Sequence, residues 1–315
     1  MEDFLFSVNA VAPLFILIAA GYILRQFNFV SDIFLSEANK FVFKLLLPLM
    51  LFQNIRVTFH GDFTGFALIG SAVAGVLVVI CVSLCIVPLF VKSKGQRGSM
   101  IQGIYRSNFL IYGLPLATGM YGEEARASIS MLMGIMIPFY NVMAVIILSI
   151  YSETGKKTTS ITSILKDIIT NPLILGCIFG LLGGISQVNL PRFLETPLAQ
   201  FSAMATPLAL FVMGGEFKFS SLKNNLTKVI AASAARLIIV PGIMLFICIQ
   251  LGFRGIDLAV LISIFATPTA MASYIMAKNM GNDGTLSAQI VVLSTTCSCV
   301  TIFFIIYFLR NWGYL

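Results

Sequence analysis

Ser107-Asn108-Phe109-Leu110-Ile111-Tyr112-Gly113-Leu114-Pro115-Leu116-Ala117-Thr118 lies in the middle of an apolar, membrane-length segment, yet it holds an Asn, a Gly and a Pro. Proline has no N–H, and its ring clashes with the carbonyl four residues back, so a helix kinks or breaks there. In lipid the freed backbone groups need partners, and such breaks are tolerated only where protein or a water-filled cavity surrounds them. Ser263-Ile264-Phe265-Ala266-Thr267-Pro268-Thr269-Ala270 has the same grammar. Two interrupted hydrophobic segments at corresponding places in the two halves of a chain point to a substrate site near the middle of the bilayer.

The rest of the chain reads as scaffold for these two breaks. Hydrophobic residues make up 58% of the 315 and charged residues 10%, against about 25% charged in soluble domains. This is the composition of an all-α polytopic membrane protein. At roughly 20 residues per crossing, about ten crossings with short loops use the whole length. Spans are expected near 5–24, 41–55, 64–91, 100–120, 127–151, 170–186, 198–216, 229–251, 257–278 and 288–310. Glu2 and Asp3 stand where a secretory leader carries basic residues, so no cleaved leader is expected.

The charges sort by side. Arg56, Arg126, Arg192, Arg254 and Arg310 fall at one set of span ends. The rest of the 20 Lys and Arg fall at the other, from Arg25, Lys40 and Lys44 through Lys92, Lys94, Arg97 and Arg106. The series continues through Lys156, Lys157 and Lys166 to Lys218, Lys223, Lys228, Arg236 and Lys278. Cytoplasmic loops carry the basic excess, which places both termini outside a cell membrane crossed many times. The net charge of +7 is then topology; the partners are the lipid bilayer and a small solute, with no nucleic acid.

The chain also repeats itself. Pro13, Gly21 and Pro48 recur as Pro172, Gly180 and Pro207, each 159 residues on. Pro88 and Pro115 recur as Pro241 and Pro268, each 153 on. Five spans per copy is an odd number, so the second copy enters the membrane from the opposite side. The expected organisation is one unit of two inverted five-helix repeats, 1–155 and 156–315, with broken, crossing helices 4 and 9.

A broken helix exposes N–H groups at the start of its second half, where the helix dipole is positive and anions bind. Leu116, Ala117 and Thr118 after Pro115, and Thr269, Ala270 and Met271 after Pro268, are the candidate amides. The candidate substrate-binding set is Asn108, Gly113, Pro115, Leu116, Ala117 and Thr118 from the first break, Thr267, Pro268, Thr269 and Ala270 from the second, and Asn141 from the fifth span. Ser273, Thr295, Thr296 and Thr301 are further polar positions. Each Ser or Thr could instead bond a carbonyl of its own preceding turn, and Asn141 could be an interhelical hydrogen bond. Arg106 either snorkels to the cytoplasmic edge or draws anions inward.

No metal site or cofactor is expected. The six cysteines fall in apolar runs without flanking His or carboxylate, and His60 stands in an outside loop beside Asp62. No Asp or Glu lies in mid-span, which disfavours a proton relay built on buried aspartates and an aspartyl intramembrane protease alike.

Asn39-Lys40-Phe41-Val42 with Pro48-Leu49, Asn108 to Ala117, Tyr121-Gly122, Asn171-Pro172-Leu173, Pro207 to Gly214 and Pro268-Thr269-Ala270 together resemble the auxin efflux carrier family in its short prokaryotic form. The resemblance implies ten spans in two inverted repeats, with the fourth and ninth crossing at Pro115 and Pro268 to form a transport domain. It implies a scaffold of the first, second, sixth and seventh spans, often a homodimer interface. It implies transport of organic anions, such as auxin in plants and malate or malonate in some bacteria, with Asn108 in the substrate site. The long central hydrophilic loop of the plant members is absent here, where residues 152–169 are the whole connection. The competing readings are a sodium-coupled symporter of the bile-acid type, which has similar crossed helices, and a non-transporting membrane sensor.

Overall fold

The computed structural model describes residues 2–59, 65–153, 161–217 and 219–315. His60, Asp62, Lys156, Lys157 and Lys218 lie outside the described residues. Every element there is helical: α1 (Glu2–Gln26), α2 (Asp32–Phe41), α3 (Leu47–Thr58), α4 (Phe66–Phe90), α5 (Lys94–Tyr105), α6 (Leu114–Ile150), α7 (Ile161–Thr170), α8 (Pro172–Ile185), α9 (Arg192–Gly215), α10 (Phe219–Ala234), α11 (Val240–Gln250), α12 (Gly255–Phe265), α13 (Ala272–Asn279) and α14 (Gly284–Asn311). Ser31, Ser93, Asn171 and Asp283 cap the starts of α2, α5, α8 and α14 by accepting a first-turn N–H.

Most prolines bend the chain without breaking it. Three π-helical turns, Val42–Leu46, Phe109–Gly113 and Ala235–Ile239, end two residues before Pro48, Pro115 and Pro241. A widened turn makes room for the ring and for the missing N–H. Helix α2 therefore runs through its π turn into α3, and α10 into α11. A sharper change comes at Gly122, whose φ of 66° and ψ of −145° suit a residue without a Cβ; α6 kinks there.

Among the described residues six helical runs are long and apolar enough to cross a membrane: Asp32–Thr58, Phe66–Phe90, Ser128–Ile150, Arg192–Gly215, Leu222–Gln250 and Gly284–Asn311. Ala12–Gln26, Pro172–Ile185 and Gly255–Phe265 are shorter apolar helices. The segments 100–120 and 257–278, expected as spans, are each divided. One passes from α5 through an extended stretch at 106–108 into the π turn, and the other from α12 through 266–271 into α13. Apolar side chains such as Leu89 and Phe90 (77% and 78% exposed) cover the outside, as hydrocarbon contact requires.

Two groups of helices pack around the divided segments. Helix α1 lies on α9, and α3 lies on α8 and α9. The closest approaches occur at glycines. A Cβ on Gly21 of α1 would stand 2.0 Å from the Phe211 carbonyl oxygen of α9, and one on Gly180 of α8 would stand 3.0 Å from that of Phe52 in α3. Gly21 and Gly180, like Phe52 and Phe211, are 159 residues apart. The α1–α9 and α8–α3 contacts thus form at positions related by one sequence offset. The second group, α5, α6, α12, α13 and α14, carries the two breaks.

Candidate functional site

The two extended stretches pair with each other. The Asn108 N–H donates to the Pro268 carbonyl at 2.9 Å and the Ala270 N–H to the Arg106 carbonyl at 3.1 Å, closing an isolated antiparallel bridge between Ser107 and Thr269. Backbone that leaves a helix inside the membrane must find such partners. The Ser107 hydroxyl adds bonds to Thr267 Oγ1 (2.6 Å) and to the Ser263 carbonyl (3.2 Å). The first break therefore sits at 106–108, seven residues before the position expected from Pro115, because the π turn has absorbed that proline.

This pairing sets four helix ends around one point. Two new helix starts face the same side. The Asn108 carbonyl accepts from Ile111 and Tyr112, and the carbonyls of Ala270 and Met271 accept from Ser273 and Tyr274. Among the described residues the N–H groups of Phe109 and Leu110, and of Met271 and Ala272, have no backbone partner. All four residues line a cavity of about 70 Å³. The opposite wall comes from Leu47, Met50 and Leu51 of α3 and from Thr206 and Ala209 of α9. Leu47 and Thr206, like Met50 and Ala209, are related by the offset of 159.

Polar side chains complete the lining, Asn108 and Arg106 among them. Asn108 is 6% exposed, and its Nδ2 has no hydrogen-bond partner among the described residues. Arg106 is 5% exposed; it donates through Nη2 to Asn141 Oδ1 and through Nη1 to Met276 Sδ, both at 2.8 Å. No carboxylate among the described residues pairs with it. Arg106 therefore lies inside the protein, not at a cytoplasmic edge. Arg236, expected among the edge charges, is deeper still at 1% exposed. It donates to carbonyls of both divided segments.

Of the expected site residues, Asn108, Asn141 and Ala270 line the cavity. Asn141 also donates from Nδ2 to its own helix at the Ile137 carbonyl (2.9 Å). Gly113 marks a close approach instead: a Cβ there would meet Ser263 Cβ at 2.6 Å, and Ser263 Oγ donates to its carbonyl at 3.1 Å. Pro115 is exposed on the outer side of its helix, while Leu116 and Ala117 are buried within the same helical run. The amides of Leu116, Ala117 and Thr118 are thus not the first of a helix, because the run begins at Phe109. The Thr118 hydroxyl bonds the Leu114 carbonyl (2.8 Å), Thr267 bonds that of Ser263 (2.8 Å), and Thr269 bonds that of Gly103 (2.6 Å). Pro268 contributes its carbonyl to the bridge. Met271, one of the amides expected after Pro268, also lines the cavity, whereas reading the prolines alone missed Phe109, Leu110 and Ala272. The Leu47-Pro48 and Thr206-Pro207 pairs carried the one usable signal for the opposite wall.

Helix α13 leads from this cavity to a second, larger one of about 780 Å³, lined by Arg25, Asp32, Glu216, Tyr274 and Lys278 among others. Between them Glu216 accepts from the Tyr274 hydroxyl and from Lys278, Asn39 donates to Tyr274, and Asn279 donates to Asn39. A further polar contact lies in the connections at 91–95 and 151–153, where Glu153 accepts from Ser93 Oγ (2.6 Å) and from the Gly95 N–H (2.8 Å). The Ser93 and Gly95 hydrogen bonds hold the Glu153 carboxyl below its usual pKa.

The chain matches the family described as membrane transport protein over residues 6–306. It is 24% identical to an uncharacterized transporter of Methanothermobacter thermautotrophicus over 311 residues, 95% of this chain and 97% of the relative. It is 21% identical to a Rhizobium meliloti protein named for malonate transport, over 96% of this chain and 95% of the relative. It is 24% identical to auxin efflux carrier component 5 of Arabidopsis thaliana, over 87% of this chain and 88% of the relative. These are membrane transporters and not enzymes. With two divided helices meeting at a small polar cavity and a match that covers nearly its whole length, the chain belongs to the membrane transport protein family, that of the auxin efflux carriers.

Proposed function

We propose that the chain is a secondary carrier that moves a small organic anion, a mono- or dicarboxylate, across the cell membrane by alternating access. One observation carries this reading: the Arg106 guanidinium and the Asn108 amide, which have no carboxylate partner and no Nδ2 partner respectively among the described residues, surround one cavity together with two helix starts. All of them favour negative charge. A carboxylate would take the Phe109, Leu110, Met271 and Ala272 amides, with Arg106 supplying the countercharge and Asn108 a side-chain donor. The name of the Rhizobium meliloti relative makes malonate the first solute to test.

The reading extends to architecture. Ten spans form two inverted repeats, 1–155 and 156–315, in which the divided fourth and ninth spans cross. The exchanged packing at Gly21 and Gly180 supports this, because an inverted pair produces such reciprocal contacts. The α1, α3, α8 and α9 group serves as scaffold and as the face for a homodimer, and the group with the breaks moves against it. The cavity between them, about 70 Å³, admits a few waters and lies below the several hundred Å³ of an ordinary small-molecule pocket. Solute exchange therefore needs the two groups to separate. With both termini outside, the 780 Å³ cavity opens on the cytoplasmic side, and the Glu216–Tyr274–Lys278 cluster is the contact that must part.

Uptake of radiolabelled malonate and related carboxylates into liposomes holding the purified protein tests the reading. Saturable flux is expected, competed by other small carboxylates. Carboxylate binding without flux would make the protein a sensor, and neither binding nor flux would remove the anion site.

A further inference from the structure

The four helix ends divide by polarity. The two starts face the cavity; the two ends, Tyr105 of α5 and Phe265 of α12, face away from it. The last carbonyls of a helix have no partner within it and carry partial negative charge. In carriers coupled to sodium, unwound backbone and half-helix ends of this kind hold the ion. Here one side chain meets them. Arg236 Nε donates to the Thr267 carbonyl and Nη2 to that of Ile264, both at 2.8 Å. Its Nη1 reaches the Ile104 and Tyr105 carbonyls at 3.4 Å. A planar fork with five N–H donors spans two helix ends in a way that an ammonium cannot.

We infer that the Arg236 guanidinium stands in for a coupling cation, so that this carrier moves its solute without sodium. A buried charge survives only where it is paired or fully hydrogen-bonded, and these carbonyls are the partners found for this one. The same oxygens cannot also form a cage for a metal ion, because the fixed positive charge among them would repel it. The inference rests on the carrier reading for its meaning in transport. It also sets this chain apart from the sodium-coupled type of crossed-helix symporter. Arg236 is a positioning residue: it holds the two half-helices together on the face opposite the solute.

Two measurements test it. The thermal stability of the wild-type protein is compared in sodium chloride and in choline chloride at equal ionic strength. No difference is expected, and stabilisation that saturates with sodium would overturn the inference. This arm does not need transport, so it still decides the matter if no carboxylate flux is found and the carrier reading fails. In the transport arm, a sodium gradient is expected to leave the wild-type rate unchanged, and marked stimulation would overturn the inference. Arg236→Ala and Arg236→Lys are each expected to lower the rate about tenfold or more, since buried carbonyls lose their partners. Added guanidinium ion should restore part of it in Arg236→Ala only. Full activity in Arg236→Ala, or equal rescue of both variants, would count against the role of the fork.

Discussion

Asn108 and Arg106 are separated by one residue, yet they make different demands. The Asn108 side chain is buried with an unused amide, so Asn108→Ala removes a donor from the cavity without breaking any protein hydrogen bond through Nδ2. The expected result is a loss of transport of about tenfold or more, the cost of a buried hydrogen bond to a charged solute, with thermal unfolding unchanged. Arg106→Gln keeps a donor for Asn141 but removes the countercharge. Carboxylate affinity should fall by at least about tenfold, as for a charge-assisted contact, and neutral osmolytes should not restore it. Binding titrations on the folded variants would check both.

At the scale of elements, the position of a proline matters less than the turn before it. Pro115 follows a π turn and faces outward, so Pro115→Ala should leave transport within about twofold of wild type; an interior helical Ala carries little intrinsic cost. A large loss would show that the ring itself shapes the site. The glycine contacts give a ranking. Gly21→Ala forces a methyl against a backbone oxygen at 2.0 Å, whereas Gly180→Ala meets its nearest atoms at 3.0 Å. Gly21→Ala should cost about 2–3 kcal/mol and Gly180→Ala clearly less, read as the order of unfolding temperatures in detergent. Glu153 clasps the start of α5 to the end of α6 from outside the apolar spans. Its folded pKa is depressed, so its stabilising effect is full above the ordinary carboxylate pKa and is lost as pH falls through the lowered value. Wild type should therefore lose its thermal advantage over Glu153→Gln on acidification; a difference independent of pH would show that the clasp does not depend on the charge.

For the whole molecule, the charge asymmetry and the proposed five spans per repeat make one demand on orientation. A cysteine introduced at Lys94 should react with a membrane-impermeant maleimide only after the cells are opened, and a tag after Leu315 should be reached in intact cells. The opposite pattern would invert the molecule and turn the 780 Å³ cavity outward.

How much of this was legible in the chain depends on the range of the interaction. Membrane class, helical content and the regions of interruption are written in local composition and spacing, because hydrocarbon demands long apolar helices and a proline or glycine marks where one must change. Asn108, Asn141 and Ala270 could be singled out for the same reason. The true break at 106–108, the surroundings of Arg106 and Arg236, and the cavity-facing amides of Phe109, Leu110 and Ala272 were decided only by tertiary structure. A proline states that a turn must change, but a π bulge or a break can each satisfy it. Which one occurs depends on whether a second chain segment is present to take up the freed backbone groups, and for Ser107 that segment is Thr269, more than 150 residues away.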